Sequence, residues 1–228
     1  MREVIRFQRP AVLASSRDRI REAAKAFFAK KGYETTTTAE ICRLAGTSQS
    51  QLIKHFANKQ GVLEAIFEHC WEQINPAIRL AIEKISSPME KLKIMTDMVL
   101  SFLEKDRELR TIFLLESRRI RGNGHMIVLV PGFLDFIKVL DGTLKEMAAS
   151  GQILANLNPQ ALRSAMMGLI EGMLRDQLLA RTSRFPASYS EADLRTIFAI
   201  FLSACLAKVN GVESPHSPLS TATSEPGA

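Results

Sequence analysis

The sequence has few of the residues that form disulfide frameworks, metal centres or membrane spans. Its 228 residues include 3 Cys, 4 His and 1 Trp. Cys42, Cys70 and Cys205 lie far apart without CxxC spacing, so neither a disulfide framework nor a zinc site is expected. No run of about 18 uninterrupted apolar residues occurs, and the N-terminus lacks the pattern of a signal peptide. These absences predict a soluble, cytoplasmic protein with no metal, no other cofactor and no membrane partner.

Patterns typical of catalytic sites are also missing. The chain has four dispersed histidines: His55, His69, His125 and His216. It contains no nucleophile elbow, no phosphate-binding glycine loop and no HExxH pair. We therefore do not expect an enzyme.

Positive charge is concentrated near the N-terminus. Residues 1–60 carry 12 Lys or Arg against 5 Asp or Glu, whereas residues 61–228 carry 18 against 19. Phosphate contacts supply most non-specific affinity for DNA, so this distribution favours a nucleic-acid-binding N-terminal unit. Arg17, Arg19 and Arg21 are candidates for such contacts. A basic segment that only aids solubility would have the same composition.

Capping signals predict two short helices within residues 37–56. Thr37 and Glu40 have the spacing of a capping box, and Ser48 and Gln51 repeat it. Gly46 lies where the first helix must end, because glycine readily adopts the left-handed conformation common after a last turn. The apolar residues expected to pack between the helices are Ile41, Leu44, Ala45, Leu52 and Phe56. The pattern is a helix, a tight turn and a second helix.

The second of these helices has a polar surface suited to DNA. Leu52 and Phe56 are one turn apart and are expected to be buried. The remaining side chains are Gln49, Ser50, Gln51, Ile53, Lys54 and His55. In a major groove, Gln can pair with adenine, Lys and His can contact phosphates or guanine, and Ile can contact a thymine methyl group. A solvated face on an ordinary small helix is the alternative.

This stretch resembles the DNA-binding signature of the TetR family of bacterial transcription regulators. The matching residues are Gly32, Tyr33, Thr36, Thr37, Ile41, Ala45, Gly46, Ser48, Leu52, His55, Phe56 and Lys59. The sequence departs from the family pattern at Thr38, Thr47, Ser50, Gln60 and Ile53, and the family usually has a phosphate-contacting tyrosine at this last position. The resemblance implies that double-stranded DNA is bound through Thr37, Thr38, Ser48, Gln49, Ser50, Gln51, Ile53, Lys54, His55 and Lys59.

The rest of the pattern is helical, so the expected fold is all-α: a three-helix helix-turn-helix head followed by a helical bundle. Caps and apolar periodicity predict helices at about 15–32, 59–85, 87–104, 106–120, 133–151, 158–180 and 190–209. Pro76 is expected to bend the helix at 59–85. The predicted domains are a flexible basic arm (1–14), the DNA-binding domain (15–60), an effector-binding and dimerisation domain (61–210) and a disordered tail (211–228).

The last two predicted helices are apolar on nearly all sides, which indicates burial on more than one face. Gly168 and Gly172 would allow another helix to approach closely. We expect a two-fold homodimer built from both helices, as the resemblance also implies. Its predicted interface residues are Met166, Gly168, Ile170, Gly172, Met173, Ile197, Phe198, Phe201 and Cys205. An internal core pair in a monomer is the alternative.

The resemblance also implies an inducer pocket for a small, hydrophobic effector, although Met and Phe at helical spacing are otherwise typical of a plain core. The candidate ligand-binding residues are Trp71, Met95, Met98, Phe102, Phe113, Glu116, Phe133, Phe136 and Met167. Arg118, Arg119 and His125 are further polar candidates. The expected function is a ligand-responsive repressor that binds a palindromic operator as a dimer. A ligand-independent architectural or activating DNA-binding protein is the alternative.

Overall fold

The computed structural model describes residues 15–117, 119 and 129–206. These residues form nine α-helices and, apart from an isolated bridge between Ile153 and Leu206, contain no β-structure. The helices are α1 Ser16–Lys31, α2 Thr38–Ala45, α3 Gln49–Phe56, α4 Lys59–Ile82, α5 Pro88–Lys105, α6 Arg107–Glu116, α7 Pro131–Ala149, α8 Pro159–Thr182 and α9 Glu191–Cys205. The all-α prediction is confirmed.

The head consists of α1, α2 and α3, packed on the first part of α4. Its core is fully buried and includes Ile20, Phe28, Ile41, Leu52 and Val62. Apolar side chains recur at helical spacing on each short helix, so the three helices share one core although none would be stable alone.

The body consists of α4 to α9. Trp71 of α4 is its centre, with its ring stacked on Phe136 at 4.9 Å between centroids and tilted against Phe133 at 5.5 Å. Gly132, at the start of α7, approaches Trp71 so closely that an added Cβ would lie 2.5 Å from the Trp71 Cβ. The Gly132 amide donates to Glu68 Oε2 at 2.9 Å. These contacts fix α7 against α4.

Several helix ends differ from the prediction. Helix α4 ends at Ile82 instead of about residue 85, and α6 ends at Glu116 instead of about residue 120. The helix α4 continues through Pro76, and the adjacent Asn75 side chain donates to the Gly132 carbonyl at 2.8 Å. The last helix, α9, ends at Cys205 instead of about residue 209. The predicted arm and tail lie outside the described residues, and the division into domains stays a prediction.

Head and body also contact each other away from α4. Helix α1 packs against α6, and the Lys25 ammonium donates to Asp106 Oδ2 at 2.9 Å. Burial lowers the pKa of Lys25, but the hydrogen bonds to Asp106 and Glu22 outweigh it and raise the pKa. At the other end of α6, Arg119 pairs with Glu34 at 3.2 Å. The head is therefore held against the body by charged contacts near both ends of α6.

Candidate nucleic-acid interface and effector cavity

The helix-turn-helix unit is built by the predicted caps. The Thr37 hydroxyl accepts from the Glu40 amide at 3.3 Å, and the Glu40 carboxylate accepts from the Thr37 amide at 3.0 Å. Hydrogen bonding to Lys31, followed by that to Thr37, lowers the pKa of Glu40 to about 2. Gly46 ends α2 in the left-handed conformation, with φ 61° and ψ 44°, and the Ser48 hydroxyl accepts from the Gln51 amide to start α3.

Helix α3 presents its polar side to solvent. Leu52 and Phe56 are buried beneath it, as predicted. The exposed residues of this surface are Ser48, Gln49, Ser50, Ile53 and Lys54, with Gln51 half-buried at its edge. Ile53 is 60% exposed, so its methyl groups are accessible on this surface. The protein thus has a free helical surface with hydrogen-bonding, cationic and methyl groups side by side.

Two of the predicted DNA-contacting residues make hydrogen bonds within the head. The Lys59 ammonium donates to the carbonyls of Tyr33, Glu34 and Thr36, and its contact with a DNA phosphate stays a prediction. His55 is half-buried, and its Nε2 pairs with the Ser16 hydroxyl at 2.7 Å. This bond links α3 to the first turn of α1, so one of the two ring nitrogens is already engaged.

The arginines of α1 also differ from the prediction. Arg21 is buried and pairs with Asp18 at 3.0 Å, so it is not an exposed phosphate ligand. Arg19 Nε donates to the Ala45 carbonyl at 2.9 Å, at the end of α2. Arg17 is exposed, with its guanidinium 5.8 Å from the centroid of the Phe56 ring. Of the three, Arg17 is best placed to meet a phosphate beside α3.

An apolar cavity of about 80 Å³ lies in the body between α4, α5, α6, α7 and α8. Six of the predicted ligand-binding residues line it: Trp71, Met95, Phe113, Phe133, Phe136 and Met167. The wall also contains Thr96, Val99, Leu103, Leu140, Met166, Ile170, Glu171 and Leu174, which the sequence did not single out as ligand-binding. Thr96 and Glu171 are the polar members of this wall, and Glu171 is buried.

Three other predicted ligand-binding residues do not border this cavity. Met98 is partly buried against the core. Phe102 lines a separate cavity at the head–body junction, together with Lys25 and Asp106. Glu116 is buried and interacts with Arg119 at 3.4 Å. The helical period placed these residues inside but could not show which cavity they face. Arg118 and His125 lie outside the described residues.

The predicted dimer surface is partly open in the single chain. Gly168 and Gly172 have open space where a Cβ would project, and Ile197 of α9 is 44% exposed. Ile200, which was not among the predicted interface residues, is 60% exposed on the same helix. Met166 and Phe198 were wrongly assigned to this surface. Met166 is buried and lines the apolar cavity, whereas Phe198 is buried between α9 and α5. Both side chains face the interior of their own chain.

The described residues contain neither a membrane-spanning helix nor a metal-binding cluster. None of the helices there is long and apolar enough to cross a lipid bilayer. In the same part of the chain, no three His, Cys, Asp or Glu side chains lie together in a way that could hold a metal ion.

Residues 20–66 match the family model of bacterial regulatory proteins, tetR family, and residues 67–184 match the model of the YsiA-like protein, C-terminal region. Over 152 residues the chain is 26% identical to the fatty acid metabolism regulator protein of Bacillus subtilis, covering 66% of this chain and 77% of that protein. It is 25% identical over 169 residues to the HTH-type transcriptional regulator TtgR of Pseudomonas putida, covering 72% and 80% of the two chains.

Solved structures have the same fold. FadR from Bacillus subtilis, solved in complex with stearoyl-CoA, superposes with a TM-score of 0.70 at 22% identity over 85% of this chain and 99% of that chain. The fatty acid degradation regulator FadR from Bacillus halodurans superposes with a TM-score of 0.71 at 21% identity over 84% and 97% of the two chains.

An all-helical body attached to a helix-turn-helix head with an exposed second helix defines a DNA-binding transcription regulator with a ligand-binding domain. The two family models together match residues 20–184 and show to which family of regulators the chain belongs. The chain belongs to the TetR family of bacterial regulatory proteins.

Proposed function

We propose that this protein is a cytoplasmic, ligand-responsive repressor that binds a palindromic operator as a homodimer and leaves it when a hydrophobic effector enters the body. The observation that carries the proposal is the exposed polar surface of α3 on a molecule whose body contains an apolar cavity. The surface supplies groups that can contact base edges, and the cavity supplies a place for an apolar molecule.

The size of the cavity supports a conformational response. At about 80 Å³, it is smaller than the roughly 150 Å³ cavity known to admit benzene and well below the roughly 300 Å³ at which sites for drug-sized ligands begin. An effector must therefore displace side chains or helices to enter. A ligand that binds the widened body better than this conformation shifts the population between the two.

Helix α4 connects this displacement to the head. Its Trp71 lines the cavity, and its first residue, Lys59, is bonded to the turn before α2. A movement of α4 would change the position of the head, and therefore the spacing of two α3 helices in a dimer. Because operator half-sites are separated by a fixed distance, a changed spacing weakens binding.

A long-chain acyl thioester is the first effector to test, since FadR from Bacillus subtilis was solved with stearoyl-CoA. An operator would be selected from a random DNA pool, and its complex titrated with stearoyl-CoA in a fluorescence anisotropy assay. Trp71 is the single tryptophan and lines the cavity, so its emission should change with the same midpoint. Operator release without a Trp71 signal would place the effector elsewhere.

Val99→Phe is the matched variant, because Val99 lines the cavity and a larger side chain would fill it. Val99→Phe should bind the operator, but at least about tenfold more stearoyl-CoA should be needed to release it. Met98→Phe, one position earlier on α5 and outside the cavity wall, should respond like the wild type. If no acyl thioester, fatty acid or other apolar ligand releases the operator, the ligand-independent alternative is favoured.

A further inference from the structure

Helix α7 has no side-chain cap of its own. Its N-cap residue is Val130, whose side chain makes no capping hydrogen bond, and its first residue is Pro131, which has no amide hydrogen. The next amide, that of Gly132, has no acceptor within the helix. Glu68 of α4 supplies one, because its Oε2 accepts from the Gly132 amide at 2.9 Å. The start of α7 is therefore capped by a residue of α4.

Two other residues of α4 hold the same glycine. The Asn75 side chain donates to the Gly132 carbonyl at 2.8 Å. Gly132 also lies against Trp71, where an added Cβ would be 2.5 Å from the Trp71 Cβ. Because Glu68, Trp71 and Asn75 are spaced three and four residues apart, they lie on one face of α4. We call these three residues and Gly132 the α4–α7 clamp.

The clamp lies beside the apolar cavity of the body. Trp71 lines that cavity, and so do Phe133 and Phe136 of α7. In the part of the chain that the structure describes, Glu68 and Asn75 do not border it. A ligand that displaces Phe133 or Phe136 also displaces α7. Since the clamp attaches the start of α7 to α4, helix α4 must then move with it.

We infer that Glu68 is a positioning residue for the effector response: by capping α7 from α4, it makes the two helices move as one unit. The inference rests on the proposed function and adds to it the contact that passes a movement of α7 to α4 and so to the head. Allosteric coupling is a free energy that links two binding sites. Loss of Glu68 therefore reduces this coupling while both binding sites remain intact.

The test compares Glu68→Leu with Glu72→Leu, which removes the same charge one turn later on α4 from an exposed position. Operator affinity would be measured by fluorescence anisotropy without stearoyl-CoA and at a saturating concentration of it. Saturation should lower the operator affinity of the wild type and of Glu72→Leu at least about tenfold, and that of Glu68→Leu less than about threefold. Without stearoyl-CoA, Glu68→Leu should bind the operator as the wild type does. Its Trp71 emission should still respond to stearoyl-CoA.

Two further variants guard against a simple folding defect. Glu68→Gln keeps an oxygen that can accept from the Gly132 amide, so it should retain most of the wild-type response. Asn75→Leu removes the other polar contact of the clamp and should reduce the response as Glu68→Leu does. Circular dichroism would confirm that each variant is folded. If Glu68→Leu fails to fold, Glu68→Gln and Asn75→Leu decide.

Amide hydrogen exchange tests the clamp without any effector. Peptides from the first turn of α7 should exchange at least about threefold faster in Glu68→Leu than in the wild type, as expected for a lost helix cap. The same peptides in Glu72→Leu should exchange as in the wild type. Unchanged exchange in Glu68→Leu, or a wild-type effector response in Glu68→Leu or Asn75→Leu, would overturn the inference.

Failure of the proposed function would be recognised separately. If stearoyl-CoA does not release the operator from the wild type, the proposed effector is wrong and the coupling role of Glu68 falls with it. If stearoyl-CoA releases the operator equally well from the wild type and from Glu68→Leu, only the positioning role is wrong.

Discussion

Glu40 joins three parts of the head through one carboxylate. It accepts from the Lys31 ammonium at 2.7 Å, and from the amide and hydroxyl of Thr37 at 3.0 and 2.8 Å. These groups favour the ionised form, which is why the pKa of Glu40 falls to about 2. Since the folded-state pKa lies below that of the unfolded chain, the carboxylate contributes stability above pH 4.5 and loses this contribution as the pH falls towards 2.

Glu40→Gln should therefore destabilise the protein at neutral pH and have a progressively smaller effect in acid. Urea unfolding followed by circular dichroism, from neutral pH down towards the folded-state pKa of about 2, would measure the difference from the wild type. The control is Asp135→Asn on α7, which removes another half-buried carboxylate whose pKa is lowered by its hydrogen bond to Lys138 but which caps no helix. At neutral pH, Asp135→Asn should lower the free energy of unfolding less than Glu40→Gln does. A Glu40→Gln difference that stayed constant with pH would contradict this account.

At the scale of helices, the close contact between α3 and α4 depends on Gly61. A methyl group there would lie 2.0 Å from a backbone oxygen, which cannot move without shifting the end of α3. We expect Gly61→Ala to lower the free energy of unfolding by about 1–3 kcal/mol or more, as overpacking does, and to weaken operator binding.

Gly142→Ala is the matched control, because its added methyl group on α7 would meet open space. Removing a glycine from a helix interior should stabilise it by about 0.5–1 kcal/mol. Thermal and urea unfolding would measure the free energy of unfolding of Gly61→Ala and Gly142→Ala relative to the wild type. Equal stabilities for Gly61→Ala and Gly142→Ala would show that the α3–α4 contact is looser than described.

The helix starts could be predicted because capping is local. Thr37, Ser48, Ser87 and Asn158 each accept a hydrogen bond from an amide within three residues of their own position. The contacts of Lys59 could not be predicted in this way, since its partners lie 23–26 residues earlier and depend on how α1 and α4 pack.

The ligand-binding residues were predicted only in part for a similar reason. Periodicity shows that a side chain faces other helices, but one cavity lies inside the body and another lies at the junction between head and body. Phe102 and Met95 both face inward from α5, yet only Met95 borders the apolar cavity of the body. Glu171 was overlooked because a single carboxylate on an apolar helix gives no sign in the sequence that it is buried.

At the scale of the whole molecule, the proposed dimer explains why α8 and α9 leave apolar groups in solvent. Ile200 is 60% exposed on α9, and burying such a side chain is worth roughly 1.5–3 kcal/mol in each subunit. Ile200→Glu should therefore shift the protein towards monomers and weaken operator binding, because one head then contacts only one half-site.

Leu80→Glu provides the control, because Leu80 is 74% exposed on α4, away from the proposed interface. Multi-angle light scattering at micromolar concentration should give a dimer mass for the wild type and Leu80→Glu, and a lower mass for Ile200→Glu. A monomer mass for the wild type would contradict the proposed two-fold recognition of DNA.

The most direct test of the central claim is the operator affinity of Gln51→Ala. Gln51 lies at the edge of the exposed surface of α3, where its amide can pair with an adenine. Loss of such a pair costs about 1–3 kcal/mol in each half-site, so the operator affinity of the dimer should fall at least roughly 30-fold. Gln160→Ala, exposed at the start of α8, should bind as the wild type does. Equal affinities for Gln51→Ala and the wild type would contradict the claim that α3 reads DNA.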